Sequence, residues 1–267
     1  NQISAGNDYG IGISTCNALD TSRGLVANNF ITVSGSYDTK GINMLGCEHY
    51  DIVYNSVHVA SDHGGARAIY TNDGTGHVIL NNIFSNVGGG YAAKHERASA
   101  IDSMDYNDYY TAGSDLAVWE STVCPDLSAL QSASGMDQNS VSVDPGFVSD
   151  NDLHLNSPAV TEHATPVPFV TTDIDGEERD ESYPDIGADE AGVIVIQPEL
   201  MYVDAAATGN NDGSSWADAF VDLQSALDVS VPGDTIWMTE GTYYPSKEFD
   251  FDNSGGSDPR EATFYIP

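Results

Sequence analysis

Two stretches, "GLVANNFITV" at 24–33 and "YDIVYNSVHV" at 50–59, decide the fold. Each holds an apolar run, an Asn, and a second short apolar run. "HVILNNIFSN" at 77–86 and "IDSMDYNDYY" at 101–110 keep the pattern. The aligned residues are Asn29, Asn55, Asn82 and Asn107, spaced by 26, 27 and 25. A second set precedes them: "GIGIS" from 10, "GINML" from 41, "ARAIY" from 66 and "YAAKH" from 91. These runs are short, β-prone and bounded by Gly, Asp and Ser, so they read as strands. No amphipathic helical period of useful length accompanies them.

A repeat of this length with several strands per unit predicts a solenoid. Leucine-rich repeats have a similar period, but their Leu framework is missing. The expectation is an all-β chain, a right-handed parallel β-helix with one coil per repeat. Coils stacked about 4.8 Å apart set equivalent residues above one another. An Asn at each bend then tolerates the left-handed conformation, serves the turn backbone and bonds the amide of the next coil. The alternative, four turn asparagines in a β-sandwich, does not account for the shared register of the flanking strands. The same register aligns Cys16 with Cys47, within disulfide range in an oxidising compartment. A reduced, buried pair is equally compatible. Cys124 reads as buried and unreactive.

The chain has 41 acidic and eight basic residues, a formal net charge of -33. Such a surface repels phosphate backbones and anionic lipid, which argues against nucleic-acid and membrane-surface partners. It suits high salt, divalent cations or plain solubility. No apolar run approaches the length of a membrane span. Both ends of the chain read as cut from something longer.

From 114 the rhythm changes. Leu127, Leu130 and Ala133 in "TVCPDLSALQSASG" predict a short helix leaving the coils. "SVDPGFVS", "DLHLNSPA", "DIDGEER" and "PDIGADE" follow. These motifs resemble the closing region of bacterial secreted β-helix proteins of the pectin-lyase-like class, over roughly residues 10–190. The resemblance implies export and display on the cell surface. An open last coil templates aggregation. Pro145, Pro158, Pro166, Pro168 and Pro184 are expected to blunt it. Arg179, alone in an acidic stretch, is expected to pair with Asp173, Asp175 or Asp185.

After a linker at 193–201, "MYVDAAATGNNDGSSWADAFVDLQSALDV" resembles the opening of another β-helix of that class. Tyr202 to Asp204 reads as a first strand. Trp216, Phe220, Leu223 and Leu227 lie near helical spacing, as in a capping helix. "GDTIWMTEGTYY" reads as a first coil. The expected organisation is coils at 1–114, a closing segment at 115–192, the linker, and the start of a second module at 202–267. That module would be completed within a longer chain or by a neighbouring chain.

"DFDNSGGSDPRE" at 250–261 places Asp250, Asp252, Ser254, Asp258 and Glu261 at the ligand spacing of a calcium loop, around a Gly turn. It lacks the apolar eighth position. "DIDGEERD" at 173–180 matches less well. For polysaccharide cleavage, a lyase needs a base and a cationic neutraliser. Lys94, His95 and Arg97 form the local basic cluster, with His63 and Arg67 one coil earlier. Salt bridges to Glu96 and Asp102 explain the same residues without catalysis. Asp62, Asp73 and Asp102 could supply a glycosidase pair. The five histidines from 49 to 95 show no zinc-type spacing.

The leading expectation is a structural, adhesive segment of a large surface protein built from tandem β-helices. Its expected partners are neighbouring modules and extracellular carbohydrate, with calcium stiffening it. The alternatives are a polysaccharide lyase or glycosidase, with Lys94, His95, Arg97 and Asp102 in its groove, and a carbohydrate-binding module without catalysis.

Overall fold

A computed structural model describes residues 1–6, 9–191, 200–230, 234–245, 247–248 and 262–264. The chain divides into two compact units, 1–194 and 195–267.

The first unit is an all-β parallel solenoid of about four turns. Its strands are, in order, β1 (Gln2–Ala5), β2 (Tyr9–Ser14), β3 (Gly24–Gly35), β4 (Lys40–Leu45), β5 (Cys47–Glu48), β6 (Tyr50–Ser61), β7 (Arg67–Thr71) and β8 (Gly74–Thr75). They continue as β9 (His77–Leu80), β10 (Ile83–Asn86), β11 (Tyr91–His95), β12 (Ile101–Asp105), β13 (Asp108–Thr111), β14 (Ala117–Trp119) and β15 (Thr122–Cys124). Sheet one runs β1-β3-β6-β10-β13, joined by β9 and β12; sheet two runs β2-β4-β7-β11-β14 and ends on β15. All these pairings are parallel except the last.

Like residues stack because the register is fixed. Ile11, Ile42, Ile69, Ala93 and Ala117 form one inner row of sheet two. Ile3, Ile31, Val57, Phe84 and Tyr109 form the facing row of sheet one. Both rows join a single apolar core. Burying each large side chain contributes about 1.5–3 kcal/mol.

The four repeated asparagines stack inside this wall. Asn29 Nδ2 donates to Asn55 Oδ1 at 2.7 Å, Asn55 to Asn82 at 2.9 Å, and Asn82 to Asn107 at 3.0 Å. Asn1 extends the run at one end, donating to Asn29 at 2.9 Å. Asp137 and Ser140 end it at the other, receiving Asn107 Nδ2 at 3.3 Å and its backbone N–H at 2.9 Å. The left-handed residue is not the ladder Asn, as expected from sequence, but the residue before it: Asn28, Tyr54, Asn81 and Tyr106. The turn is made there, which swings the following amide inward to bond along the stack.

The predicted closing segment does two jobs. Helix α1 (Leu127–Ser134) does not leave the coils. It packs on β14 and β15 and buries Leu130 in the core. Asp126 caps its start by accepting the Ala129 N–H at 2.8 Å, and Gly135 ends it at φ +74°. The end of the stack is therefore covered by β15 and α1, not by the prolines. Residues 139–191 form a strap that returns along the outer side of sheet one. It carries β16 (Phe147–Ser149) and β17 (Asp152–Leu155), an antiparallel pair. Phe30, Leu153 and Ala188 bury together, as do Tyr54, Ile83, Leu155, Val160 and Ile186. Ser56 Oγ accepts the Ala188 N–H at 2.9 Å, and Thr32 Oγ1 donates to the Asp150 carbonyl at 3.1 Å.

In the second unit, β18 (Leu200–Val203) pairs in parallel with β19 (Thr235–Met238). Helix α2 (Leu223–Val229) is shorter than the apolar spacing predicts. Asp222 is its N-cap, accepting the Ser225 N–H at 3.0 Å, so the helix cannot begin earlier. Trp216 lies instead in a turn and packs edge-on against Tyr202, with ring centres 4.7 Å apart. The candidate calcium loop, Asp250 to Glu261, and most of the linker lie outside the described residues. The strands bordering that loop, β20 (Lys247–Glu248) and β21 (Ala262–Thr263), pair antiparallel.

Candidate functional site

The predicted basic cluster falls on sheet two, but its members do not share a face. Successive residues of a strand point to opposite sides. Lys94 points outward and bonds Glu96 at 2.8 Å, which holds the Glu96 carboxyl below its usual range. His95 points inward and is fully buried, with Thr71 Oγ1 at 2.8 Å and the Trp119 ring centre at 5.6 Å. Burial, with His77 beside it, pushes its pKa down to about 3. It is a neutral core residue and does not reach a ligand on the Lys94 face. Arg97 is exposed just past the strand, 3.8 Å from Asp73. Asp102 is exposed at a register shift in sheet one, so it lies on the other sheet. His63 sits in an exposed turn, where Nδ1 accepts the Gly65 N–H at 3.1 Å.

What the outer side of sheet two does assemble is a lattice of tyrosines and cations. The register aligns Tyr9, Lys40, Arg67 and Tyr91 in one row, and Asn43, Tyr70 and Lys94 in the next. At the spacing of parallel strands, the first row spans about 14 Å. Lys40 Nζ lies between the rings of Tyr9 and Tyr70, 5.1 and 5.4 Å from their centres, and Arg67 stands 5.1 Å from Tyr70. These are cation–π contacts. Asp38 bonds Arg67 at 2.7 Å and Lys40 at 3.3 Å, and Tyr70 donates to Glu96 at 3.2 Å. Three of the chain's eight basic residues, Lys40, Arg67 and Lys94, lie in these two rows, each with a carboxylate, Asp38 or Glu96, within 4 Å. The area is thus near neutral on a strongly acidic protein. Sequence reading found Lys94, Arg67 and Arg97 but missed Tyr9, Lys40 and Tyr70. The register steps that align them are uneven, 31 from Tyr9 to Lys40, 27 from Lys40 to Arg67 and 24 from Tyr70 to Lys94, so a constant period does not pick them out.

The strap is fixed by Arg179. Its guanidinium bonds Glu190 Oε2 at 3.1 Å, Asn28 Oδ1 at 3.1 Å and the Gly187 carbonyl at 3.0 Å. The carboxylate partner is therefore Glu190, not Asp173, Asp175 or Asp185. Asp173 and Asp185 are instead spent on backbone N–H groups. Asp173 accepts from Asp175, Glu177 and Glu190, and Asp185 from Glu162 and Ala191. Beside Arg179 and Tyr54 opens a cleft of about 290 Å³, rimmed by Glu178, Asp180 and Glu181.

These features define a parallel β-solenoid with a strap along one sheet and a neutral aromatic face on the other. No family model, curated protein or solved structure matches the chain.

Proposed function

We propose that this chain is a structural and adhesive segment of a large secreted or cell-surface protein. It would be assembled from tandem β-helices of the pectin-lyase-like class that its closing motifs resemble. The observation that carries this reading is the Tyr9–Lys40–Tyr70–Arg67 lattice on the outer side of sheet two. Tyrosine rings offer apolar faces to sugar C–H groups and a hydroxyl to their oxygens. Because Lys40 and Arg67 are already engaged by Asp38 and Lys94 by Glu96, the face favours neutral over uronate polysaccharides. The calcium loop at 250–261 belongs to the same proposal, as a stiffening site within the second module.

The test is to incubate the chain with neutral and uronate polysaccharides, following both retention and product release. The expected result is retention of a neutral polymer, weakened at least several-fold in Tyr70→Ala, with no product. Turnover that disappears in Lys94→Ala or Arg97→Ala would overturn the reading in favour of a lyase.

A further inference from the structure

The strap carries a cluster that the adhesive role does not use. His154 lies on β17, with its ring between two aspartates. Nδ1 is hydrogen-bonded to Asp152, and Nε2 lies 2.7 Å from Asp175 Oδ2. Asp189 closes the third side. The donor atoms of His154, Asp175 and Asp189 all lie within 4.8 Å of one another. Asp189 is buried at 5% exposure, and one of its oxygens accepts the Leu155 N–H at 2.8 Å. The other components are also held from behind. Asp173 fixes the Asp175 backbone, and the Phe30 ring meets the His154 ring edge-on at 4.9 Å.

We infer that His154 Nε2, Asp175 and Asp189 form a binding site for a zinc-class divalent cation. The ion would take the place of the proton now shared between Nε2 and Asp175. One imidazole with two carboxylates suits first-row ions such as zinc, whereas calcium prefers oxygen ligands alone. Asp152 on Nδ1 is the outer carboxylate that metal-binding histidines commonly use to fix their tautomer and ring plane. Three carboxylates around one imidazole leave a local excess of negative charge, which a dication offsets. The three ligands come from β17, the 173–175 turn and the 185–190 loop. The ion would therefore staple three parts of the strap together, and its binding free energy would add to the stability of the fold.

Isothermal titration of the full chain with zinc chloride tests this, in a Cys16→Ser background that removes the exposed thiol. Excess calcium occupies any oxygen-only site. The expected result is one equivalent of zinc bound and a raised melting temperature. Both effects should be absent in His154→Ala and in Asp175→Asn, the latter a near-isosteric change of a half-exposed side chain. Asp152→Asn should weaken binding roughly 10-fold through the outer carboxylate. Equal zinc binding by His154→Ala and the parent chain overturns the site. So does a folded parent chain that takes up no zinc.

Discussion

The guanidinium of Arg179 lies 3.9 Å from the centre of the Tyr54 ring. Tyr54 is the left-handed bend residue of its coil, and Arg179 belongs to the strap, so this contact ties the two. Burial pushes the Tyr54 hydroxyl up to about 12, and its O–H donates to the Thr165 carbonyl at 2.8 Å. Arg179→Ala leaves Glu190, whose side chain is only 11% exposed, without its cation. Stability should fall by about 3–5 kcal/mol, the usual cost of orphaning a buried charge. Arg179→Lys should recover only part, since an ammonium cannot serve Glu190, Asn28 and Gly187 in one plane. Urea unfolding measures both, and limited proteolysis should cut both variants first within 139–191.

The Asn ladder predicts a dependence on position. Asn82 is central: its Oδ1 accepts the Asn55 side-chain and backbone N–H groups, and its Nδ2 reaches Asn107, Leu80 and Ile52. Asn82→Ala strands the Asn55 backbone N–H inside the wall and takes the side-chain donor from the Ile52 and Leu80 carbonyls, while the Asn107 oxygen keeps only the backbone N–H of residue 82. Each buried orphan costs about 1–3 kcal/mol. Asn82→Ala should therefore destabilise by roughly twice as much as Asn29→Ala, where Asn1 is the only ladder residue beyond. Equal losses at both positions would show that the chain of amides does not act as a unit.

Most of this ladder was legible in the sequence, because parallel in-register stacking forces like residues to recur at one period. The bend itself falls one residue before the Asn that marks it in the sequence. Tyr54 and Tyr106 give no turn signal of their own, while the neighbouring Asn gives a strong one. The opposite facing of Lys94 and His95 follows from the alternation of a strand, which proximity along the chain conceals. The strap was not legible. Its partners, Asn28 with Arg179 and Thr32 with Asp150, are more than 100 residues apart, and nothing local encodes them. The lattice on sheet two falls between these cases: its strands are visible as repeats, but coil lengths of 31, 27 and 24 residues hide which side chains stack.

The ladder ends on a carboxylate, which makes stability depend on pH. Burial outweighs the hydrogen bonds from Ser140, Asn107 and Tyr109, and raises Asp137 to about 6 from 3.8. A raised carboxyl pKa means that the folded state holds its proton longer than the unfolded chain does. Its contribution to stability is complete below pH 4 and is lost as pH rises to about 6, flattening above. Asp137→Asn stays neutral throughout. Relative to the parent, the variant should gain stability between pH 4 and 6, by up to about 3 kcal/mol. Unfolding curves at pH 4, 5, 6 and 8 measure this, and a constant difference across them would remove Asp137 as its source.

The cysteines give a prediction that needs no mutation. Cys16 is exposed, whereas Cys47 and Cys124 are buried, and all three are free thiols. The Cys16 sulfur bonds the Ser14 carbonyl at 3.4 Å and the Cys47 sulfur bonds that of Ile13 at 3.3 Å, so both address the end of β2. The Cys16–Cys47 pair is thus not a buried stack, since one member faces solvent. Reactivity follows the exposed thiolate, and burial raises the Cys124 thiol further. Under native conditions an aromatic disulfide reagent should release one equivalent quickly, and the other two only on unfolding. No reactive thiol before unfolding and one after it would mean that Cys16 and Cys47 are joined. Oxidation would then have closed the gap between two coils that the register already brings side by side.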